Sequence, residues 1–354
     1  MNISTAILRN VVSEPAWLRI IRYLLGVWVL SWSREFCIGF TVGFLLLGTI
    51  CVQAGTPHLG EPLLPLQPYP DLDPDKVALG DRLYHDVRLS ADNSISCSSC
   101  HDLSTNGSDS RPSSIGINDV SGPIKAPTVY NAAYNFAQFW DGRAADLEEQ
   151  AAGPVHNPIE MGSNWKQVLG KLREDAELVR IFEKIYPDGL TPDNIVSAIA
   201  DFERSLITQN SPFDRWLLGD ESALNGKERK GYHLFKSYGC TSCHQGRNVG
   251  GNMYAYMGAV GDYFSDRDKE IVAADLGRFN VTKEESDRHL FKVPSLRLAA
   301  RQKYFFHDSS QDNLEDAIRI MGRYQIGRKI PKKDISAIAA FLHSLVGTHP
   351  RMKP

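Results

Sequence analysis

Two short stretches of this 354-residue chain could do chemistry: Cys97-Ser-Ser-Cys100-His101 and Cys240-Thr-Ser-Cys243-His244. In each, two thiols are spaced to form thioethers to both vinyl groups of one haem. The next residue then turns its imidazole under the ring as an axial ligand of the iron. The alternatives are a zinc site or a disulfide pair. Zinc would want four clustered nitrogen or sulfur ligands, and each cysteine pair here comes with a single adjacent histidine. The remaining cysteines, Cys37 and Cys51, lie in an apolar stretch and leave nothing for a disulfide framework. The pattern predicts two covalently attached haem c groups, held at Cys97, Cys100 and His101 and at Cys240, Cys243 and His244.

The segments that must position these motifs repeat. Lys76–Asp86 precedes the first motif and Lys227–Tyr238 the second, while Ile195–Leu206 (IVSAIADFERSL) echoes Ile335–Leu345 (ISAIAAFLHSL). Apolar positions recur at three and four residues, so each echo predicts an amphipathic helix. Thr191-Pro192-Asp193 supplies an N-cap, a proline for the first turn and an early acid. The helix copies stand almost as far apart in the chain as the haem motifs do, the mark of a duplicated unit. Each unit runs helix, haem motif, a long segment of loops and short helices, then a packing helix. The expected fold is mainly α, with two class I cytochrome c-like domains at residues 75–214 and 215–354.

Residues 36–52 (FCIGFTVGFLLLGTICV) are uncharged, and with Gln53 and Ala54 they approach the length that about 30 Å of hydrocarbon demands. Arg9, Arg19, Arg22 and Arg34 precede them, which places the N-terminus in the cytoplasm. Residues 1–54 are thus expected to be a cytoplasmic N-terminus and inner-membrane anchor, or else a long signal sequence. Residues 55–74, rich in proline and leucine, read as an extended linker or an arm over the protein surface. The haem domains would then lie in the periplasm, where c-type haem is attached. A net charge of −3 gives no support for nucleic-acid binding.

A haem with both axial positions filled carries electrons, whereas one that can open does chemistry. Met253, Met257 and Met321 are candidates to face His244, and Met321, shortly before the final helix, is the expected ligand. No methionine occupies the equivalent stretch of the first unit, near residues 178–182.

Between and after the motifs lie Ala126-Pro-Thr-Val129, Gln138-Phe-Trp-Asp-Gly-Arg-Ala144, Leu147-Glu-Glu-Gln150, Asn157-Pro158 and Glu160-Met161. Val293-Pro-Ser-Leu-Arg297, His307-Asp308 and Met321-Gly-Arg-Tyr-Gln-Ile-Gly327 follow. Together these resemble the bacterial dihaem cytochrome c peroxidases over about residues 70–347. The resemblance implies reduction of hydrogen peroxide to water at the first haem, with electrons entering at the second. It makes His101 the proximal ligand of the peroxidatic haem and gives His244 and Met321 to the electron-transfer haem. Glu160 becomes the distal proton shuttle, Gln150 the amide that positions peroxide, and Trp140 the aromatic relay between haems. The electron donor would be a small cytochrome c, a cupredoxin or quinol, and a homodimer would fit the family.

Two departures stand out. The family's loop histidine, which caps the peroxidatic iron at rest, falls on Ile117 here, and no His or Met lies between Asp102 and Lys125. The first haem is therefore expected to be five-coordinate when oxidised, needing no reductive activation. Met161 and His156 are weaker surrogate ligands. The family's calcium-binding Asn falls on Lys125, and its two backbone ligands on Gln302 and Tyr304. A cation cannot ligate Ca²⁺, so the Lys125 ammonium is expected in its place. Two other functions fit the same frame. One is a MauG-like enzyme that oxidises a protein partner, although that group carries Tyr where Met321 stands. The other is a plain membrane-anchored dihaem carrier.

Overall fold

Short polar residues followed by proline or acid set where helices start, and the chain obeys this closely. The computed structural model describes residues 56–353, residue 268 excepted. The expected membrane segment, residues 36–54, lies outside the described residues. Among those described, no helix is long and apolar enough to cross a membrane.

In chain order the helices are α1 (Pro74–Tyr84), α2 (Leu147–His156), α3 (Trp165–Arg173), α4 (Ala176–Ile185), α5 (Pro192–Ser205) and α6 (Pro212–Leu217). They continue as α7 (Gly226–Ser237), α8 (Tyr263–Asp266), α9 (Phe279–Thr282), α10 (Leu314–Tyr324) and α11 (Lys332–Ser344). The fold is mainly helical, and one small antiparallel pair, β1 (Tyr254–Tyr256) with β2 (Leu290–Lys292), puts Tyr254 opposite Lys292. Asp73 caps α1 by accepting from the Asp75 N–H, with Pro74 in the first turn. Thr191 caps α5 through the Asn194 N–H, as its sequence predicts. Asn225 and Glu228 satisfy each other's backbone at the start of α7.

The two echoed helices form as expected, as α5 and α11, and each crosses the helix that precedes a haem motif. Both crossings run through a glycine. A Cβ on Gly80 of α1 would lie 1.9 Å from the Ala198 carbonyl oxygen of α5, and one on Gly231 of α7 would lie 1.9 Å from that of Ala337 in α11. Phe202 and Phe341 close the two crossings from behind, both fully buried. The first core gathers Leu79, Leu83, Leu172, Phe182 and Ile195, and the second Phe213, Tyr232, Phe235, Ile338 and Phe341.

The halves differ between motif and closing helix. The first spends its residues on α3 and α4, the second on the β1–β2 pair with α8 and α9. The arm also departs from expectation. It is extended, but Leu63 is 0% exposed within the second core, and the Leu64 N–H donates to the Gly246 carbonyl at 3.2 Å. Pro62 and Pro65 keep this backbone out of a helix and leave Leu63 between them as an anchor. His58 stacks on Trp216 at 3.9 Å, and Glu61 binds Tyr232 and Lys236 at 2.6 and 2.8 Å. The arm therefore anchors in the second half through Leu63 and touches the first further along, where the Gln67 carbonyl accepts from the Tyr134 hydroxyl at 2.6 Å.

Because the Gly231 crossing has no room for a methyl group, Gly231→Ala is expected to destabilise the holoprotein by about 3 kcal/mol or more. Thermal unfolding followed by circular dichroism checks this; an unchanged midpoint would show that the helices can separate at no cost.

Candidate haem sites and the region between them

Each motif folds as one tight turn, Cys97–Ser99 and Cys240–Ser242, closed by the N–H of His101 on the Cys97 carbonyl and of His244 on the Cys240 carbonyl, both at 3.0 Å. None of the four cysteines is in a disulfide. The His101 Nδ1 lies 3.2 Å from the Gly107 carbonyl, and the His244 Nδ1 3.2 Å from that of Val249. A carbonyl can only accept, so the proton sits on Nδ1 and the Nε2 lone pair remains for a metal. Burial lowers the His244 imidazole to about 4 and pushes His101 in the same direction, so both rings are neutral, as ligation requires. Gly250 completes the cradle: a Cβ there would lie 2.3 Å from the Pro294 carbonyl oxygen and 3.3 Å from the His244 Nδ1. Thiol pairs, oriented imidazoles and close-fitting backbone together suit a covalently attached haem at each motif.

The segments expected to face the two imidazoles are unlike. Met321 lies in the last turn of α10 and is half-buried. Its place in the first half, expected near residues 178–182, falls instead on Pro154 when counted from the first residues of α10 and α2, and proline cannot ligate iron. Met257 packs among Tyr263, Phe264, Phe291 and Tyr324 instead. Of the surrogates considered for the first site, Met161 is 3% exposed within the first core, and His156 is exposed and bonded to the Ala152 carbonyl.

Ile117 is buried, in a loop closed by bonds from Gly116 to Val120 and from Gly122 to Ser114. Its N–H donates to the Glu160 carbonyl at 2.9 Å, which fastens this loop to the turn after α2. A Cβ on Gly116 would lie 2.1 Å from the Ile159 carbonyl, so the loop and the turn touch along their backbones. The Glu160 carboxylate accepts from the Asn157 amide at 2.6 Å. Burial raises this carboxyl above its ordinary range, and the Arg143 charge and the Asn157 bond only partly offset that rise. Gln150 is half-buried on α2, and its side chain makes no hydrogen bond among the described residues.

Trp140 stands where the halves meet. Its Nε1 donates to the Lys125 carbonyl at 2.8 Å, and its ring packs beside His307 at 6.3 Å between centroids. Around it the two halves exchange equivalent bonds. The Lys125 N–H donates to the His307 carbonyl, and the Lys292 N–H to the Trp140 carbonyl, both at 2.8 Å. Lys125 precedes Ala-Pro-Thr-Val and Lys292 precedes Val-Pro-Ser-Leu, while Phe139 and Phe306, one residue before the two acceptors, share a φ of +67°. The contact is thus a pseudo-two-fold exchange. Gly142 is required here, since a Cβ would meet the Tyr254 hydroxyl at 2.0 Å.

His307 stacks on Phe291 at 4.6 Å and bonds Asp275 at 2.8 Å. Burial opposes ionisation of Asp275, but Arg267, the Val272 N–H and His307 hold it below the usual carboxylate range. Asp275, His307 and Asp308 are close enough to share a metal ion, yet Arg267 already bridges the two carboxylates.

Lys125 is 3% exposed, and its ammonium donates to the Ser108 hydroxyl at 2.8 Å and the Asp109 carbonyl at 2.5 Å. Its oxygen partners both come from the first half. It makes no hydrogen bond to the Gln302 or Tyr304 carbonyls, the positions expected to face it. The Arg297 of the PSLR segment, 0% exposed, holds structure together. It bonds Asp214, the Leu64 carbonyl and the Arg247 carbonyl at 2.9 to 3.0 Å, tying the arm to α6.

These sites and this fold suit a dihaem c-type protein, and its relatives are more specific. The sequence model of the family described as di-haem cytochrome c peroxidase matches residues 74–222. The chain is 44% identical to the cytochrome c551 peroxidase of Nitrosomonas europaea, over 87% of this chain and 91% of that protein. It is 48% identical to the cytochrome c peroxidase Ccp of Escherichia coli over 82% of this chain, which spans only 62% of that longer relative. A solved MauG-like protein associated with microbial copper homeostasis superposes with a TM-score of 0.70 at 25% identity, covering 82% of this chain and 96% of that one. The chain belongs to the di-haem cytochrome c peroxidase family and is by class an oxidoreductase.

One buried group escaped the sequence reading. Glu203, 4% exposed on α5, accepts no side-chain hydrogen bond among the described residues, and its charge would add to the burial that raises the Cys97 thiol to about 12. Its position falls on the apolar stripe of the helix, where α11 has Leu342, and this break in periodicity was the available signal. Burial pushes the carboxyl from 4.5 to about 8. In the unfolded chain Glu203 loses its proton near 4.5, while in the folded chain it keeps it until about 8. Its contribution to stability therefore falls as pH rises across that window. Glu203→Gln removes the slope: the variant should match the parent near pH 5 and melt at a higher temperature near pH 8, roughly where the folded group ionises. Equal midpoints at both pH values would show that the carboxyl is not held neutral.

Proposed function

We propose that this chain reduces hydrogen peroxide to water with electrons from an external donor. Its halves, residues 75–214 and 215–354, act as two class I cytochrome c domains derived by duplication. The observation that carries the reading is the half-buried Glu160 carboxyl, raised by desolvation and tied through its backbone to a loop that offers Ile117 where a ligand would stand.

When bound, the haem on His244 and Met321 would accept electrons, and the haem on His101 would supply them to peroxide. The protein's part is proton handling and positioning. Reduction of one peroxide to two waters consumes two electrons and two protons. Glu160 takes the proton from the near oxygen and returns it to the departing one, a role suited to a carboxyl whose affinity for protons is raised. Gln150, with an uncommitted amide on α2, orients the peroxide. Trp140 lies where the halves meet, and its indole N–H is bound to a carbonyl rather than a base, so it can serve as a relay without giving up that proton. Lys125 replaces calcium near this contact. Residues 36–54 are the proposed inner-membrane anchor, with the haem domains in the periplasm. The donor's chemistry, whether small cytochrome c, cupredoxin or quinol, and a homodimeric state belong to the same proposal.

MauG-like oxidation of a protein partner is the second reading, favoured by the missing loop ligand and by 34% identity to the MauG of Methylorubrum extorquens. Met321, where that group carries Tyr, weighs against it. A plain electron carrier would gain nothing from Glu160 or an open iron.

Steady-state turnover of peroxide with a reduced small cytochrome c tests the proposal. The oxidised holoprotein should turn over without prior reduction and without sensitivity to calcium chelators, and Glu160→Gln should lower kcat by about 10²–10⁴-fold with haem content unchanged. No turnover with any one-electron donor would contradict it.

A further inference from the structure

Lys292 is the counterpart of Lys125 in the pseudo-two-fold exchange, but its ammonium has a different fate. Both side chains are buried, at 3% exposure for Lys125 and 7% for Lys292. Lys125 is satisfied by Ser108 and Asp109. The Lys292 ammonium makes no hydrogen bond or ion pair among the described residues. Burial alone acts on it, lowering it to about 8, with no charged group among the described residues near enough to oppose the shift. Its strand partner Tyr254 is already committed, accepting from Arg278 and donating to the Gly142 carbonyl.

A buried charge without a partner costs several kcal/mol, so such groups are ordinarily paired. The described residues offer no anion to Lys292, and the anion must come from what the chain binds. Haem c brings carboxylates, its two propionates. The placement of Lys292 also selects which haem. It lies at the end of β2, two residues before Pro294, whose carbonyl supports the His244 imidazole and presses against Gly250. Phe291 turns to the opposite face of the strand, toward His307, which leaves Lys292 on the other side.

We infer that the Lys292 ammonium forms a buried ion pair with a propionate carboxylate of the haem attached at Cys240 and Cys243. Its backbone N–H already holds the Trp140 carbonyl, so one residue joins the proposed electron inlet to the aromatic ring between the haems. A positive charge there stabilises the reduced haem, which carries one more electron. Lys292 is a positioning residue for that haem, and the inference rests on haem being attached at the second motif.

The test is a spectroscopic redox titration of the holoprotein together with its thermal unfolding, for parent, Lys292→Met and Lys292→Arg. Haem content by pyridine haemochrome reads attachment separately: two haems per chain are required, and fewer would undercut the haem reading rather than the pairing. With both haems present, Lys292→Met should lower the midpoint potential of the His244 haem and lower the melting temperature, because a buried carboxylate loses its partner. Lys292→Arg should keep the potential near the parent's. If Lys292→Met leaves both potentials unchanged and melts higher than the parent, the ammonium is unpaired and the inference fails. It fails equally if only the His101 haem shifts. Should Lys292→Met not accumulate, an unshifted pH dependence of the His244 potential in Lys292→Arg relative to the parent would count against the pair, since Arg does not titrate.

Discussion

The bonds from the Lys125 N–H to the His307 carbonyl and from the Lys292 N–H to the Trp140 carbonyl fix how the two halves face each other. Individually each is worth only about 1 kcal/mol net. Their importance is register. They are buried, they are reciprocal, and each joins a residue two places before a supporting proline to the aromatic loop of the other half. Trp140 is consequently gripped at its carbonyl by one half and at its indole by the Lys125 carbonyl of its own. A shift of one residue would leave these groups unpaired in the interior, where an orphaned donor or acceptor is costly.

On that symmetric frame the halves are made unequal by a few substitutions at matching places. Met321 stands where α2 has Pro154, Leu342 where α5 has Glu203, and the unpartnered Lys292 where the first half has the satisfied Lys125. Under the proposed function these differences divide the work. The second half keeps an apolar wall and a sulfur ligand suited to electron transfer. The first half sets two carboxyls near its site, the half-buried Glu160 and the buried Glu203, both biased toward the protonated form.

Much of this was legible in the sequence because covalent haem attachment and helix capping depend on local spacing. The two motifs, the cap at Thr191 and the paired helices needed only neighbours in the chain. What stayed hidden depends on tertiary context. Leu63 looks like any leucine in a proline-rich arm until it enters the second core. Lys292 looks like a surface lysine until β2 buries it, and the partners of Lys125 could not be chosen from the sequence because Ser108 and Asp109, 17 and 16 residues away, reach its ammonium only in the fold. Glu203 did leave a trace, a carboxylate on an apolar stripe, visible only when the two helices are laid side by side.

The proposed function requires that none of the described residues close the iron position opposite His101, so that the two haems differ already in the oxidised state. Electron paramagnetic resonance of the fully oxidised protein reads both ligand sets in one spectrum. An open first haem would give one high-spin ferric signal, beside one low-spin signal from a haem held by His244 and Met321. Two low-spin signals, with no high-spin component, would contradict the proposal.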